Sequence, residues 1–377
     1  MRMRYTLIGI ALVLAGCGNS GGEDPAAFQQ RIEEVAQEPL VAAPSPEERA
    51  LDQALFDIAA PFDGYLGIAV HDIARDRTVH FNGNEHLPQQ SLSKLWVTLA
   101  ALRMVDAGEL DLSERVSIRR SDLTLFHQPV RQIVLARGGF NTTYGDLMRR
   151  AITESDNTAN DMLLKRVGGP AGVRNAIGEA RLGAIRFGPG EVPMQSKIAG
   201  VEWDPSYSIG NAFFDARKRV PASAREAAFT GYVLDPVDGA TPRAIALALA
   251  RLARGELLEP GTTALFLQLL KDVKSGPNRL KGGVPPGWSI GHKTGTGQVL
   301  DSAPPAEQAG YNDVGILTAP DGARYSVVVM IGRTAVPLPV RMELMHKVVE
   351  AIVRYHHEAG GEAIPDALRP EPVLEEL

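Results

Sequence analysis

Strand-like sequence lies near both ends of this chain, and helical patterns fill the middle. Short apolar runs predict strands at 65–72, 77–81, 288–293, 311–318 and 324–331. Between them, residues 140–255 carry helical spacings of apolar side chains. If strands from both ends of the chain form one sheet, the helical middle is an insertion between them. We therefore expect an α/β fold with an all-α part: an antiparallel sheet flanked by helices, with an inserted helical subdomain.

The domain is expected to begin at Ser45. The run Ser45–Glu48 combines a capping serine, a proline at the first helical position and a glutamate that completes a capping box. The predicted parts follow from that start: a domain over 45–360, with its sheet part at about 45–90 and 256–358 and its helical part at about 91–255, and a C-terminal tail over 361–377.

The first residues predict an export signal (1–16). A basic start at 1–4 precedes an apolar run, Tyr5–Leu14, that is too short to span a bilayer. The ending Leu14–Cys17 resembles the bacterial lipobox, which implies a lipid on Cys17 and a tether over 17–44. Gly18 favours the outer membrane over the inner one, facing the periplasm. An ordinary signal peptide with a chance cysteine is the alternative.

Composition narrows the classes of partner. The net charge is −6 and no long basic run occurs, which argues against nucleic acid. Cys17 is the single cysteine, so an intrachain disulfide is excluded. The eight histidines are scattered without metal-ligand spacing, and no glycine-rich nucleotide motif is present. We expect no metal and no cofactor.

Three short motifs stand in a fixed order: Ser91–Lys94 (S-x-x-K), Ser155–Asn157 (S-D-N) and Lys293–Gly295 (K-T-G). Each alone is weak, but together in this order they are far more specific. Ser91 and Lys94 are three residues apart at the start of a predicted helix, so their side chains share one face. A nearby lysine that is partly neutral can activate a serine hydroxyl as a nucleophile.

With these motifs, residues 50–358 resemble the class A β-lactamase-type serine hydrolases, relatives of the penicillin-binding proteins. The resemblance implies that Ser91 is acylated and that Lys94 assists it. Ser155 would relay protons between Ser91, Lys293 and the leaving nitrogen. Asn157 would bind the side-chain amide of the substrate.

The resemblance assigns the K-T-G strand to the substrate carboxylate and the oxyanion. Lys293 supplies positive potential, and Thr294 and Thr296 offer hydroxyl groups. The backbone N–H groups of Thr296 and Ser91 form the oxyanion hole. Gly295 would let the substrate backbone approach closely.

Glu191 is the candidate base for deacylation. It stands 36 residues after Ser155, the spacing of the family's catalytic glutamate, and Gln195 follows where an asparagine is usual. The surrounding sequence is unlike the family's, so an exposed turn glutamate is the alternative. Residues 196–235 are longer than the family's equivalent, and a second long loop is expected at 298–310. Tyr311 stands where many relatives carry an arginine.

Three functions remain open. The first is a serine β-lactamase that hydrolyses the β-lactam amide through an acyl-enzyme on Ser91 and so confers antibiotic resistance. The second is a D,D-peptidase, a penicillin-binding protein acting on peptidoglycan stem peptides. The third is a sensor that is acylated without turnover. We expect a monomer held at the membrane through Cys17.

Overall fold

The computed structural model describes residues 43–302 and 305–361. The predicted signal peptide, Cys17 and nearly all of the predicted tether and tail lie outside the described residues. The unit that contains every described helix and strand begins at Ser45. None of the helices in the described ranges is long and apolar enough to cross a membrane.

Twelve α-helices lie within the described residues. They are α1 (Pro46–Ala59), α2 (Lys94–Asp106), α3 (Val130–Arg137), α4 (Tyr144–Arg149), α5 (Asn157–Arg166), α6 (Gly169–Glu179), α7 (Glu191–Ala199), α8 (Ala212–Arg219), α9 (Ala222–Leu234), α10 (Pro242–Ala253), α11 (Pro260–Lys271) and α12 (Leu338–Glu358).

The strands form one large antiparallel sheet and a separate two-stranded ribbon. They are β1 (Tyr65–Asp72), β2 (Arg77–Phe81), β3 (Arg115–Ile118), β4 (Phe140–Thr143), β5 (Ser289–Thr296), β6 (Val299–Leu300), β7 (Glu307–Thr318) and β8 (Arg324–Thr334). The large sheet has the order β2-β1-β8-β7-β5, with β6 also paired to β7. β3 and β4 form the ribbon.

β8 lies in the middle of the sheet, and its central residues, 327–331, are all apolar because helices cover both faces of the sheet there. Val327, Val329 and Ile331 share an apolar cluster with α1 and α12. Val328 and Met330 face the opposite side and pack with α2, α10 and α11. The alternation follows from the two-residue period of a strand.

Two parts of the structure differ from the sequence prediction. α10 was placed in the helical part, but it packs on the sheet, where Ser326 Oγ donates to Ala246 O at 2.7 Å. Its sequence shows an apolar face but not which neighbour that face meets. The expected loop 298–310 contains β6 and the first residues of β7, which extend the sheet beyond the K-T-G strand.

The sheet holds the S-x-x-K turn at its edge. β5, which carries Lys293–Gly295, is an end strand, and its neighbour β7 supplies Asn312. Asn312 Nδ2 donates to Pro88 O at 2.8 Å and to Gln89 O at 3.2 Å, immediately before the turn. The side chain of Asn312 therefore helps to hold two of the three motifs against each other.

Candidate active site

Ser91 lies in a tight 3₁₀ turn, Gln90–Ser93, that leads directly into α2. Lys94 Nζ lies 3.0 Å from Ser91 Oγ and donates a hydrogen bond to it. Gln90 has φ of 54°, a region that is unfavourable for most residues other than glycine. The N–H of Gln90 donates to the Asp238 carboxylate at 2.7 Å. This contact helps to hold the turn that presents the serine hydroxyl.

The Lys94 amine is enclosed among oxygen atoms. It donates to Ser155 O at 2.8 Å and to Asn157 Oδ1 at 2.5 Å. Burial lowers the pKa of Lys94 below its ordinary value, against the opposing effect of the Glu191 and Asp156 carboxylates. A lysine with a lowered pKa can be neutral and accept the proton of a serine hydroxyl.

Ser155 lies between two amines. Its Oγ accepts from Lys94 Nζ at 3.3 Å and from Lys293 Nζ at 3.0 Å. Burial, together with the charge of Lys94, lowers the pKa of Lys293 well below its usual range. Ser155 itself adopts the left-handed conformation with φ of 58°. The structure thus brings all three motifs to one place.

Glu191 is the first residue of α7, and it is turned toward the motifs rather than toward solvent. Its Oε1 accepts from Asn157 Nδ2 at 2.9 Å. The same Asn157 amide donates to Leu125 O at 2.9 Å. Burial raises the pKa of Glu191, while Lys94 and Gln195 act in the opposite direction. One asparagine therefore connects the lysine and the carboxylate.

Gln195 is held by two other glutamines. Its Nε2 donates to Gln90 Oε1 at 2.8 Å, and its Oε1 accepts from Gln298 Nε2 at 2.9 Å. Gln90 Nε2 in turn donates to Tyr232 OH at 2.6 Å. This network fixes Gln195 beside Glu191 and connects both to the turn that carries Ser91.

The hydroxyl groups of the K-T-G strand have partners on the loop before β5. Thr294 Oγ1 lies 2.6 Å from Ser275 Oγ, and Thr296 Oγ1 accepts from Arg279 Nη2 at 2.6 Å. The Arg279 guanidinium lies over the ring of Tyr311, 3.8 Å from its centroid. Sequence reasoning missed Arg279 because its loop carries no motif. The tyrosine in place of an arginine at 311 was the available signal.

Gly295 packs closely against the residues that precede Ser91. A Cβ atom added here would lie 2.4 Å from Gln89 O and 3.2 Å from the Leu92 side chain. The glycine therefore lets β5 pack against the turn before Ser91, and this protein contact requires it. The predicted approach of the substrate backbone to Gly295 stays a prediction. His292, immediately before Lys293, is buried, and its Nδ1 lies 2.9 Å from Asp313 Oδ1.

One cavity of about 560 Å³ collects most of the predicted site residues. Its wall includes nucleophile, carboxylate, amide and hydroxyl groups together with aromatic side chains. The lining residues are Ser91, Phe126, His127, Ser155, Asn157, Glu191, Gln195, Phe214, Arg217, Ser275, Thr294, Thr296, Gly297, Gln298, Val299 and Asp301. Lys94 and Lys293 are buried behind this wall. Within the described ranges, no three His, Cys, Asp or Glu side chains cluster as a metal site requires.

Ser91 is hydrogen-bonded to a buried lysine and lies between an antiparallel sheet and a helical part. This arrangement is that of an acyl-transferring serine hydrolase. Comparison with known proteins leads to the same class of enzyme. The model of the beta-lactamase enzyme family matches residues 50–356. A beta-lactamase of Amycolatopsis lactamdurans is 28% identical over 294 residues, covering 77% of this chain and 80% of that protein.

Solved structures give the same result. An ancestral class A beta-lactamase is 27% identical, with a TM-score of 0.61 over 81% of this chain and 99% of the other. A beta-lactamase from Chitinophaga pinensis is 25% identical, with a TM-score of 0.66 over 80% of this chain and 97% of the other. The chain belongs to the β-lactamase enzyme family and is a serine β-lactamase. The predicted family, fold class and enzyme class are confirmed.

Proposed function

We propose that Ser91 attacks the β-lactam carbonyl and that Lys94 accepts its proton. The supporting observation is the 3.0 Å contact between Lys94 Nζ and Ser91 Oγ, with the pKa of Lys94 lowered by burial. A new ester bond forms between Ser91 Oγ and the carbonyl carbon as the ring C–N bond breaks. The nitrogen takes the hydroxyl proton of Ser155, which regains one from Lys94 or Lys293.

Residues of β5 would bind the substrate carboxylate and, together with Ser91, the oxyanion. The N–H groups of Ser91 and Thr296 would stabilise the tetrahedral oxyanion, a contribution of roughly 3 kcal/mol for each donor. The hydroxyl groups of Thr294 and Thr296 would bind the carboxylate. Arg279, bonded to Thr296 Oγ1 at 2.6 Å, would add the positive charge that Tyr311 does not supply.

Glu191 is the proposed base for deacylation. It would take a proton from the water that attacks the ester, and Ser91 would leave with a proton returned through Lys94. The observation that carries this proposal is the 2.9 Å bond from Asn157 Nδ2 to Glu191 Oε1 in the cavity that Ser91 also lines. A positioned carboxylate contributes roughly 10²–10⁴-fold to such a step. Its presence favours turnover over a stable acyl-enzyme.

Intact-mass measurement during reaction with benzylpenicillin tests these roles. The wild type should show a penicilloyl adduct that decays within the turnover time. Glu191→Gln should accumulate the adduct, because water attack slows far more than acylation. Ser91→Ala should show no adduct and supplies the control. If Glu191→Gln turned over as fast as the wild type, the deacylation role would be refuted.

The same experiment separates the alternative functions. A D,D-peptidase or a sensor would keep the adduct in the wild type, and only the peptidase would also cleave a D-alanyl-D-alanine stem peptide. The three hypotheses share Ser91, Lys94, Ser155 and Lys293. They differ at Glu191, whose carboxylate faces the shared cavity.

We also propose that the protein is exported, lipidated on Cys17 and held at the outer membrane, facing the periplasm, after removal of signal peptide 1–16. The support is the sequence Leu14–Cys17 after a short apolar run. In a Gram-negative host the wild type should fractionate with membranes, and Cys17→Ala should remain unprocessed at this position. A wild type found wholly soluble in the periplasm would refute the anchor.

We propose that the enzyme acts as a monomer. The support is that one chain supplies every group the proposed chemistry requires: the Ser91–Lys94 pair, Ser155, Lys293 and Glu191. Light scattering of the purified protein should give a mass near the 40.5 kDa of one chain, lowered by removal of the signal peptide. A dimer whose dissociation abolished turnover would contradict this.

A further inference from the structure

The inserted segment, residues 196–235, is attached to the wall of the cleft formed by the loop before α3 and the first turn of α3. Ser208 O accepts from Gln128 Nε2 at 2.9 Å and from Arg131 Nη1 at 3.3 Å. The ring of Phe213 meets that of Phe126 edge to face, with centroids 5.2 Å apart. This end of the segment is therefore fixed by both polar and aromatic contacts.

The other end of the segment is attached to the sheet. Arg217 Nη2, on α8, donates to Val299 O and, at 3.1 Å, to Asp301 Oδ1. Arg225 Nη1, on α9, donates to the same Asp301 atom at 3.1 Å. Val299 belongs to β6, which follows the K-T-G strand. The inserted segment thus connects the two walls of the cleft.

α8 presents two side chains to the cavity. Phe214 and Arg217 are three residues apart, close to one helical turn, and both line the cavity. Phe214 is 44% exposed, whereas its neighbour Phe213 is buried in an apolar cluster. The ring of Phe214 lies 5.9 Å from that of Phe126. Two partly open aromatic faces therefore stand together inside the cleft.

This aromatic pair adjoins Asn157, the residue that the family resemblance assigns to the side-chain amide of the substrate. Asn157 Nδ2 donates to Leu125 O at 2.9 Å, and Phe126 is the next residue. Val299, which lines the same cavity, follows Gln298, the residue that holds Gln195 at 2.9 Å. A substituent carried by the amide would meet these apolar surfaces.

We propose that Phe214, which the inserted segment supplies, determines specificity for an aromatic acylamino side chain of the β-lactam, forming a subsite with Phe126 and Val299. Arg217 is a positioning residue that clamps α8 to β6 through Asp301. This inference rests on the proposed function, because it takes a β-lactam that acylates Ser91 as the bound ligand, and it uses the amide-binding role that the family resemblance implies for Asn157. Aromatic surfaces that close over an aryl group supply binding without taking part in the chemistry.

The test compares benzylpenicillin, which has a phenylacetyl side chain, with 6-aminopenicillanic acid, which has the same ring system and no acyl group. In Phe214→Ala, the ratio of the two kcat/KM values should fall about tenfold, mainly through the KM of benzylpenicillin. Phe56→Ala is the matched control, since Phe56 is 54% exposed and lies on α1 outside the cavity. It should leave the ratio unchanged.

Arg217 is tested in the same way. Arg217→Ala should raise the KM of benzylpenicillin several-fold with kcat nearly unchanged, and Arg217→Lys should restore part of the loss. Equal losses for both penicillins in Phe214→Ala, or no loss for either, would overturn the subsite. If the wild type turned over neither compound, the proposed function would fail instead. The subsite would then be tested by the acylation rates of the two penicillins, measured by intact mass. Their ratio should fall in Phe214→Ala as the kcat/KM ratio is expected to fall.

Discussion

Asp161 is a carboxyl group placed where its charge is unfavourable. It lies on α5, partly buried, and its Oδ1 is enclosed with no hydrogen-bond partner among the described residues. Burial, reinforced by the Glu191 carboxylate, raises the pKa of Asp161 from 3.8 to about 7. We predict that Asp161→Asn stabilises the protein above neutral pH, because it removes the charge and keeps the shape of the side chain.

The size and sign of the effect follow from proton linkage. Between about pH 4 and pH 7 the unfolded chain releases the Asp161 proton while the folded protein retains it, so the wild type loses stability as pH rises through this window. The full difference corresponds to about 4 kcal/mol. Because Asp161 is only partly buried, solvent screening reduces our expectation to about 2 kcal/mol at pH 8, and to nearly zero at pH 4.

Urea unfolding of wild type and variant at pH 4, 6 and 8 measures this difference. The stability gain of Asp161→Asn should grow with pH and reach a plateau above pH 7. Asp235→Asn, which changes an 82% exposed carboxylate, is the control and should show no such gain. A gain for Asp161→Asn that is the same at all three pH values would refute the titration argument.

Two further predictions concern β5 and its supports. Arg279→Ala should raise the KM for benzylpenicillin about tenfold with a smaller change in kcat, because the buried guanidinium that supports Thr296 is lost. Steady-state kinetics measure both constants. An unchanged KM would exclude a role of Arg279 in carboxylate binding. Gly295→Ala should lower the free energy of unfolding by about 1–3 kcal/mol, since the new Cβ would lie 2.4 Å from Gln89 O. Thermal unfolding tests it against Gly261→Ala, where no atom lies within 4 Å of the new Cβ; equal stabilities of the two variants would contradict the packing role.

The sequence determined the elements whose signals are local. The capping box at Ser45 is formed as predicted, with Glu48 N donating to Ser45 Oγ at 3.2 Å. Thr241 caps α10 in the same way, accepting from Ala244 N. The strands at 65–72 and 77–81 have the predicted bounds. Caps, turns and strand alternation depend on residues a few positions apart, so one sequence is enough to find them.

The ordered motifs also determined which chemistry to expect. They named Ser91, Lys94, Ser155 and Lys293, and the family spacing named Glu191. The sequence left open whether Glu191 was an exposed turn residue, because its neighbours do not match the family's. The contact between Asn157 and Glu191 depends on two segments separated in the chain, and only the folded structure shows it.

Tertiary structure alone decided how the departures from the family are accommodated. Arg279 reaches Thr296 across a loop that carries no motif, Gly295 packs against Gln89, and the inserted segment connects the two walls of the cleft. In each case the partners come from distant parts of the chain. Their meeting depends on how helices and strands pack, and the period of a pattern gives the face of an element but not the neighbour that the face will contact.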